Sequence, residues 1–138
     1  MKILIIDDEM AALAKMKILL SRYGDCTLVT NGTQALQQCA KAIQDMTPFE
    51  LITIDIHLPE ISGIDLLSAI SGLEKSRNTP QSQKIMVTAS GTKDNLIRAT
   101  CKGCDGFLVK PVKRDTVDEK MAALGFVLQK MEKSDKVI

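Results

Sequence analysis

At 138 residues, with 45% hydrophobic and 25% charged residues, the chain has the size and composition of one soluble domain able to bury a full core. Its 18 basic and 17 acidic residues leave a net charge of +1, which argues against a nucleic-acid footprint or a basic membrane-surface patch. No apolar run approaches the ~18 residues of a bilayer span. The apolar stretch 3–6 is also too short for a secretory signal, so a cytosolic chain with no membrane or nucleic-acid partner is expected.

Residues 2–6 are a continuous apolar run ending at Asp7 and Asp8, as in a strand buried on both faces. Leu13, Met16, Leu20 and Tyr23 recur at helical spacing, predicting a helix over 10–22 that stops at Gly24. A second strand is predicted over 26–30, followed by the turn signal Asn31-Gly32. Thr33 is then the expected cap of a helix whose apolar face is Leu36, Cys39, Ala40, Ile43 and Met46, closed off by Pro48. The third strand, LITID over 51–55, ends in the carboxylate of Asp55. Pro59 and Gly63 follow within eight positions, so the chain must turn before another helix begins.

A third helix is predicted over 64–70. The Ser, Gly, Asn, Pro and Gln content of 71–83 predicts that it frays into an exposed loop. Residues 85–88 read as the fourth strand, and Ser90-Gly91 as a turn. Thr92 can cap a fourth helix carrying Leu96, Ile97 and Ala99, which ends near Gly103. The fifth strand is 106–109, followed by Lys110-Pro111. A last helix from about 115 to 133, with a short tail, carries Val117, Met121, Leu124, Leu128 and Met131 at heptad spacing. Packing on the sheet explains most of that seam. Phe126 and Val127 lie off it and suit a partner surface.

Strands alternating with helices predict an α/β fold, a parallel sheet covered on both faces. Five such units nearly exhaust the chain, so a single domain over 1–138 is expected. Cys101 and Cys104 form a C-x-x-C, but no second pair exists and the single histidine, His57, is distant in sequence. They read as packed small residues where a helix gives way to a strand.

In a parallel sheet the carboxyl ends of the strands share one rim, the place where open α/β sheets bind ligands. That rim would carry Asp7, Asp8, Asp55, Thr88 and Lys110. Crowded carboxylates repel and call for a divalent cation, and an all-oxygen donor set points to Mg²⁺ (or Mn²⁺). Lys110 could meet a phosphoryl group as a point charge, with Thr88 donating a hydroxyl. A carboxylate nucleophile, a metal, a lysine and a hydroxyl are the parts of phosphoryl transfer.

In order and spacing, ILIIDD, TNGTQAL, FELITID with the following LP and G, IMVTA and GCDGFLVKP resemble the receiver domain of two-component response regulators. The resemblance runs from residue 2 to about 128. It implies a flavodoxin-like, doubly wound (βα)5 fold with strand order 2-1-3-4-5. It also implies that Asp55 accepts a phosphoryl group from a histidine kinase or phosphotransfer protein. Asp8, Asp55 and the backbone carbonyl of His57 would then ligate the metal, with Asp7 acting mainly through water. Thr88 and Lys110 would grip the acyl phosphate, Lys110-Pro111 would be cis, and Phe107 would turn inward as Thr88 moves. His57 and Ser90 fall at rim positions where the family tunes phosphoryl lifetime.

Signalling would pass to a downstream protein through the face of the fourth helix, fifth strand and fifth helix, which is also a possible homodimer surface. Two other readings stay open. One is a degenerate receiver that docks without phosphorylation, which the complete acidic and basic set argues against. The other is a phosphohydrolase with an aspartyl-phosphate intermediate, which would want an acid where His57 stands.

Overall fold

The computed structural model describes residues 1–89 and 103–128. Five strands form one parallel sheet in the order β2-β1-β3-β4-β5, namely β1 (Lys2–Ile6), β2 (Asp25–Val29), β3 (Leu51–Asp55), β4 (Gln83–Thr88) and β5 (Gly106–Val109). The first three connections are helices: α1 (Met10–Leu20), α2 (Gly32–Gln44) and α3 (Gly63–Ser76). A final helix, Arg114–Ala123, follows β5. The predicted fourth helix, with Thr92, Leu96, Ile97 and Ala99, lies outside the described residues, as do Ser90 and Cys101.

Side-chain alternation along β1 shows why the sheet is wound on both faces. Leu4 and Ile6 join Ile52, Ile54 and Met86 in a core under α2 and α3. Ile3 and Ile5 join Leu51 and Val87 in a second core under α1 and the final helix, with Leu13, Met16, Leu20, Val117 and Met121. Both faces of β1 and β3 are therefore apolar, and their runs are unbroken rather than alternating.

α1 ends at Leu20, two residues before the predicted end. Tyr23 instead turns under the core and donates its hydroxyl to Asp118 at 2.7 Å. Arg22 holds the same carboxylate with two nitrogens, at 2.6 and 3.2 Å, so α1 and the final helix are clamped together. Burial, then the bond to Asp118, raises the Tyr23 hydroxyl to about 12. The bonds from Arg22 are the main reason the Asp118 carboxyl lies below its ordinary range.

Four local expectations are corrected. Asn31, not Thr33, caps α2, accepting the Gln34 N–H at 2.8 Å. The stripe α2 buries is Ala35, Cys39 and Ala42, whereas Met46 lies beyond the helix, 87% exposed at φ 62°. Small residues on that stripe allow close approach to the sheet.

The largest correction concerns α3, which does not fray at 71 but runs on to Ser76. Ser76 turns its hydroxyl onto the Leu73 carbonyl (2.8 Å), and Glu74 is buried. The Glu74 carboxylate accepts the Lys84 ammonium at 2.6 Å and the Ser82 N–H at 3.0 Å. With its charge paired, Lys84 sits inside the sheet, and β4 starts two residues earlier than predicted.

The final helix is the fourth correction. It stops at Ala123, where Gly125 takes φ 89° and Phe126 donates back to the Met121 carbonyl at 2.9 Å. The heptad seam therefore ends with the helix. Leu124, Phe126 and Leu128 still pack on the second core, Val127 is 74% exposed, and Met131 lies outside the described residues.

Candidate functional site

Four strand ends build the site. β1 delivers Asp7 and Asp8, β3 delivers Asp55, β4 delivers Thr88 and β5 delivers Lys110. Carboxylate oxygens of Asp7, Asp8 and Asp55 all lie within 4.8 Å of one another. Asp7 and Asp55 are both buried to 3% exposure, while Asp8 faces solvent. The Lys110 ammonium stands 2.8 Å from Asp7 Oδ2 and 3.4 Å from Asp55 Oδ2, bridging the two buried acids. The peptide bond that follows, Lys110–Pro111, is cis.

Two backbone donors that the sequence does not advertise complete the acid pair. The Glu9 N–H donates to Asp7 Oδ1 and the His57 N–H to Asp55 Oδ1, each at 3.0 Å. His57 itself is exposed. Thr88 is fully buried, and its carbonyl accepts the Lys110 N–H at 2.8 Å. Pairing sets Asp55 against Val87 and Met86 against Phe107. Alternation thus puts Thr88 in phase with Met86 and Phe107, on the opposite face from Asp55. Phe107 is half-buried against the core under α2 and α3. Among the C-x-x-C residues, the described Cys104 is half-buried and directs its thiol to the Gly106 carbonyl at 2.8 Å.

Burial and neighbouring charges pull the groups of the cluster in opposite directions. Burial dominates in raising the Asp55 carboxyl above the ordinary aspartate range, and the nearby Asp7 adds to it. The His57 N–H and Lys110 pull in the other direction without cancelling the rise. For Lys110 burial disfavours the cation, but the two carboxylates outweigh it and the ammonium is held more firmly than usual.

The donor set fits a hard divalent cation, being three carboxylates with no thiolate or imidazole among them, one open to solvent.

The raised Asp55 value has a stability consequence. The folded state binds the proton more tightly than the unfolded chain, so stability falls as pH rises through the window from the unfolded to the folded value, and stays lower above it. Asp55→Asn is therefore expected to raise the melting temperature by a few degrees at pH 7 in metal-free buffer, because Lys110 keeps Asp7 as partner. The difference should vanish in acid, where both side chains are neutral. Thermal melts across pH check this, and a lower melting temperature for Asp55→Asn at pH 7 would contradict it.

A sequence model of the response regulator receiver domain matches residues 3–122. The chain is 32% identical to the chemotaxis protein CheY of Pseudomonas aeruginosa over 123 residues, covering 88% of this chain and 93% of that protein. It is also 32% identical to CheY-3 of Vibrio cholerae over 123 residues, covering 88% of each. Among solved structures, the CheY-like receiver domain protein of Methanospirillum hungatei superposes with a TM-score of 0.73 at 25% identity, over 99% of this chain and 98% of that one. No described helix is long and apolar enough to cross a membrane.

Proposed function

Because this chain belongs to the response regulator receiver domain family of two-component signalling, we propose that it is a switch thrown by phosphorylation of Asp55. The observation that carries this reading is the Lys110 ammonium, held 2.8 Å from Asp7 and 3.4 Å from Asp55 beside an acid triad. A buried carboxylate so placed is a nucleophile with a cation ready for the charge that arrives. The donor is a phosphohistidine of a kinase or phosphotransfer protein. A lone pair on the Asp55 carboxylate forms the new P–O bond as the donor's P–N bond breaks, and the imidazole leaves with that electron pair.

Asp7, Asp8, Asp55 and the His57 carbonyl are the proposed holders of Mg²⁺ (or Mn²⁺). When bound, the ion supplies charge neutralisation and a template for the phosphoryl oxygens. Lys110 exchanges its contact with Asp55 for one with the phosphoryl group while keeping Asp7. The His57 N–H fixes the orientation of the Asp55 carboxylate. Thr88, at the rim, turns its hydroxyl toward the new phosphoryl oxygen, and Phe107 on the same face fills the space Thr88 leaves. A dianionic group biasing such a two-state pair is a sound switch. The proposed output is a protein contact on the side of β5 and the final helix, where Val109 is 50% exposed. His57 and Ser90 are proposed to set how long the acyl phosphate lasts. No reaction beyond self-phosphorylation and self-dephosphorylation is proposed.

Acetyl phosphate tests the chemistry without a partner. With Mg²⁺ present, intact mass should show one phosphoryl group per chain. Lys110→Met should cut the uptake rate by roughly 100-fold, the scale seen when one preorganised donor to developing charge is lost. Uptake that is unchanged in Lys110→Met or in excess chelator would overturn the proposal. Continuous turnover of a phosphate ester would favour a phosphohydrolase instead.

A further inference from the structure

The loop after Asp55 meets the rest of the molecule through several contacts, one of them at the start of α2. Ile61, in that loop, is half-buried in the core under α2 and α3. A Cβ placed on Gly32, the first residue of α2, would stand only 2.5 Å from Ile61 Cγ2. That separation is far inside carbon–carbon contact, so only glycine leaves room for Ile61. Alanine would otherwise favour the helix by about 1 kcal/mol. The loop's other ties are the Ile56 N–H on the Val87 carbonyl at 2.9 Å, the buried side chains of Ile56 and Leu58 in the same core, and two bonds nearer the site. The His57 N–H meets Asp55 Oδ1 at 3.0 Å, and the Gly63 N–H meets the Ile56 carbonyl at 2.8 Å.

We infer that Gly32 and Ile61 form a lock that positions the Asp55 loop, acting on the reaction through the His57 backbone while touching no reacting atom. Cγ2 is bonded directly to the Ile61 Cβ, and a β-branched side chain is stiff at χ1, so the residue cannot swing aside cheaply. A Cβ at position 32 therefore pushes the loop backbone, which shifts the His57 N–H and carbonyl relative to the Asp55 carboxylate. The inference rests on the reading of Asp55 as phosphoacceptor.

Gly32→Ala, Ile61→Ala and the double variant test it, with three readouts. These are hydrogen exchange of the His57 amide with no phosphodonor present, calorimetric Mg²⁺ binding, and acetyl phosphate uptake; thermal melts serve as control. Gly32→Ala is expected to speed His57 exchange, weaken Mg²⁺ binding and slow uptake roughly tenfold, the scale of a small misplacement at a reacting centre. Its melting temperature should fall modestly, because the cost of overpacking outweighs the gain in helix propensity. Ile61→Ala, which introduces no clash, should also speed His57 exchange. The double variant should come closer to wild type than Gly32→Ala does, because the new methyl group fills the space Ile61 vacates.

Wild-type His57 exchange in both single variants would overturn the lock, as would a double variant no better than Gly32→Ala. Exchange needs no donor. A wild-type protein that takes up no phosphoryl group would thus remove the functional reading while leaving the positioning question answered.

Discussion

Glu74→Leu is expected to lower the stability of this domain by about 3–5 kcal/mol, the cost of leaving a buried ion without its partner. Lys84 is 1% exposed and Glu74 3% exposed, and their charged atoms are 2.6 Å apart. With the carboxylate gone, the ammonium keeps, among the described residues, only the Ser82 carbonyl at 3.0 Å. Domains of this size are stable by only about 5–15 kcal/mol, so the loss should be visible as a much lower urea midpoint. Glu74→Leu/Lys84→Met should recover most of it, since two apolar side chains remove the orphaned charge. The recovery should be incomplete, because the Ser82 N–H also loses its acceptor, at a cost of about 1–3 kcal/mol. A single variant as stable as wild type would show that the pair does not hold α3 to β4.

Gly63→Ala is the second substitution expected to act strongly, and it strikes the site directly. A Cβ there would overlap the carbonyl of Asp55 and approach the Cα of Ile56. These are backbone atoms, which cannot rotate out of the way as a side-chain tip can. The gain in helix propensity, about 1 kcal/mol, is smaller than the cost of overpacking, about 1–3 kcal/mol or more. The loop must shift, and the Gly63-to-Ile56 hydrogen bond and the His57 N–H on Asp55 shift with it. The expected result is a reduced urea midpoint together with slower acetyl phosphate uptake, by roughly 100-fold. Wild-type uptake in a folded Gly63→Ala protein would refute the claim that this close approach shapes the site.

The sequence carried the architecture because the apolar runs of β1 and β3 are buried on both faces, and such runs end visibly at Asp7 and Asp55. Gly106, Lys110 and Pro111 marked the last strand and its end equally well. The failures differ in cause, and the largest of them depended on a tertiary partner. Ser71 to Gln83 reads as loop by composition, yet a carboxylate at 74 and a lysine at 84 meet inside the protein and carry α3 past its polar residues. Met46 sits in phase with the apolar face of α2 but lies beyond the helix end, in a left-handed turn, where phase no longer decides burial. The heptad seam of the last helix was broken by Gly125, a stop the spacing argument passed over.

At the site, the titratable side chains were legible, since acids and a lysine at strand ends converge in any parallel sheet. The backbone donors of Glu9 and His57 were not, because any residue can supply an N–H. Nor could the sequence show that Lys110 stands closer to Asp7 than to Asp55. The glycines at 32 and 63 were visible as turn signals, whereas their closeness to Ile61 and to the Asp55 carbonyl needed the fold.

The proposed switch turns on which oxygen receives the phosphoryl group, and peptide mapping after acetyl phosphate and Mg²⁺ treatment reads that directly. Borohydride reduction of the acyl phosphate before digestion should convert residue 55 alone to homoserine in the wild type, and nothing in Asp55→Asn. Label on any other residue of the wild type, or equal label in Asp55→Asn, would contradict it.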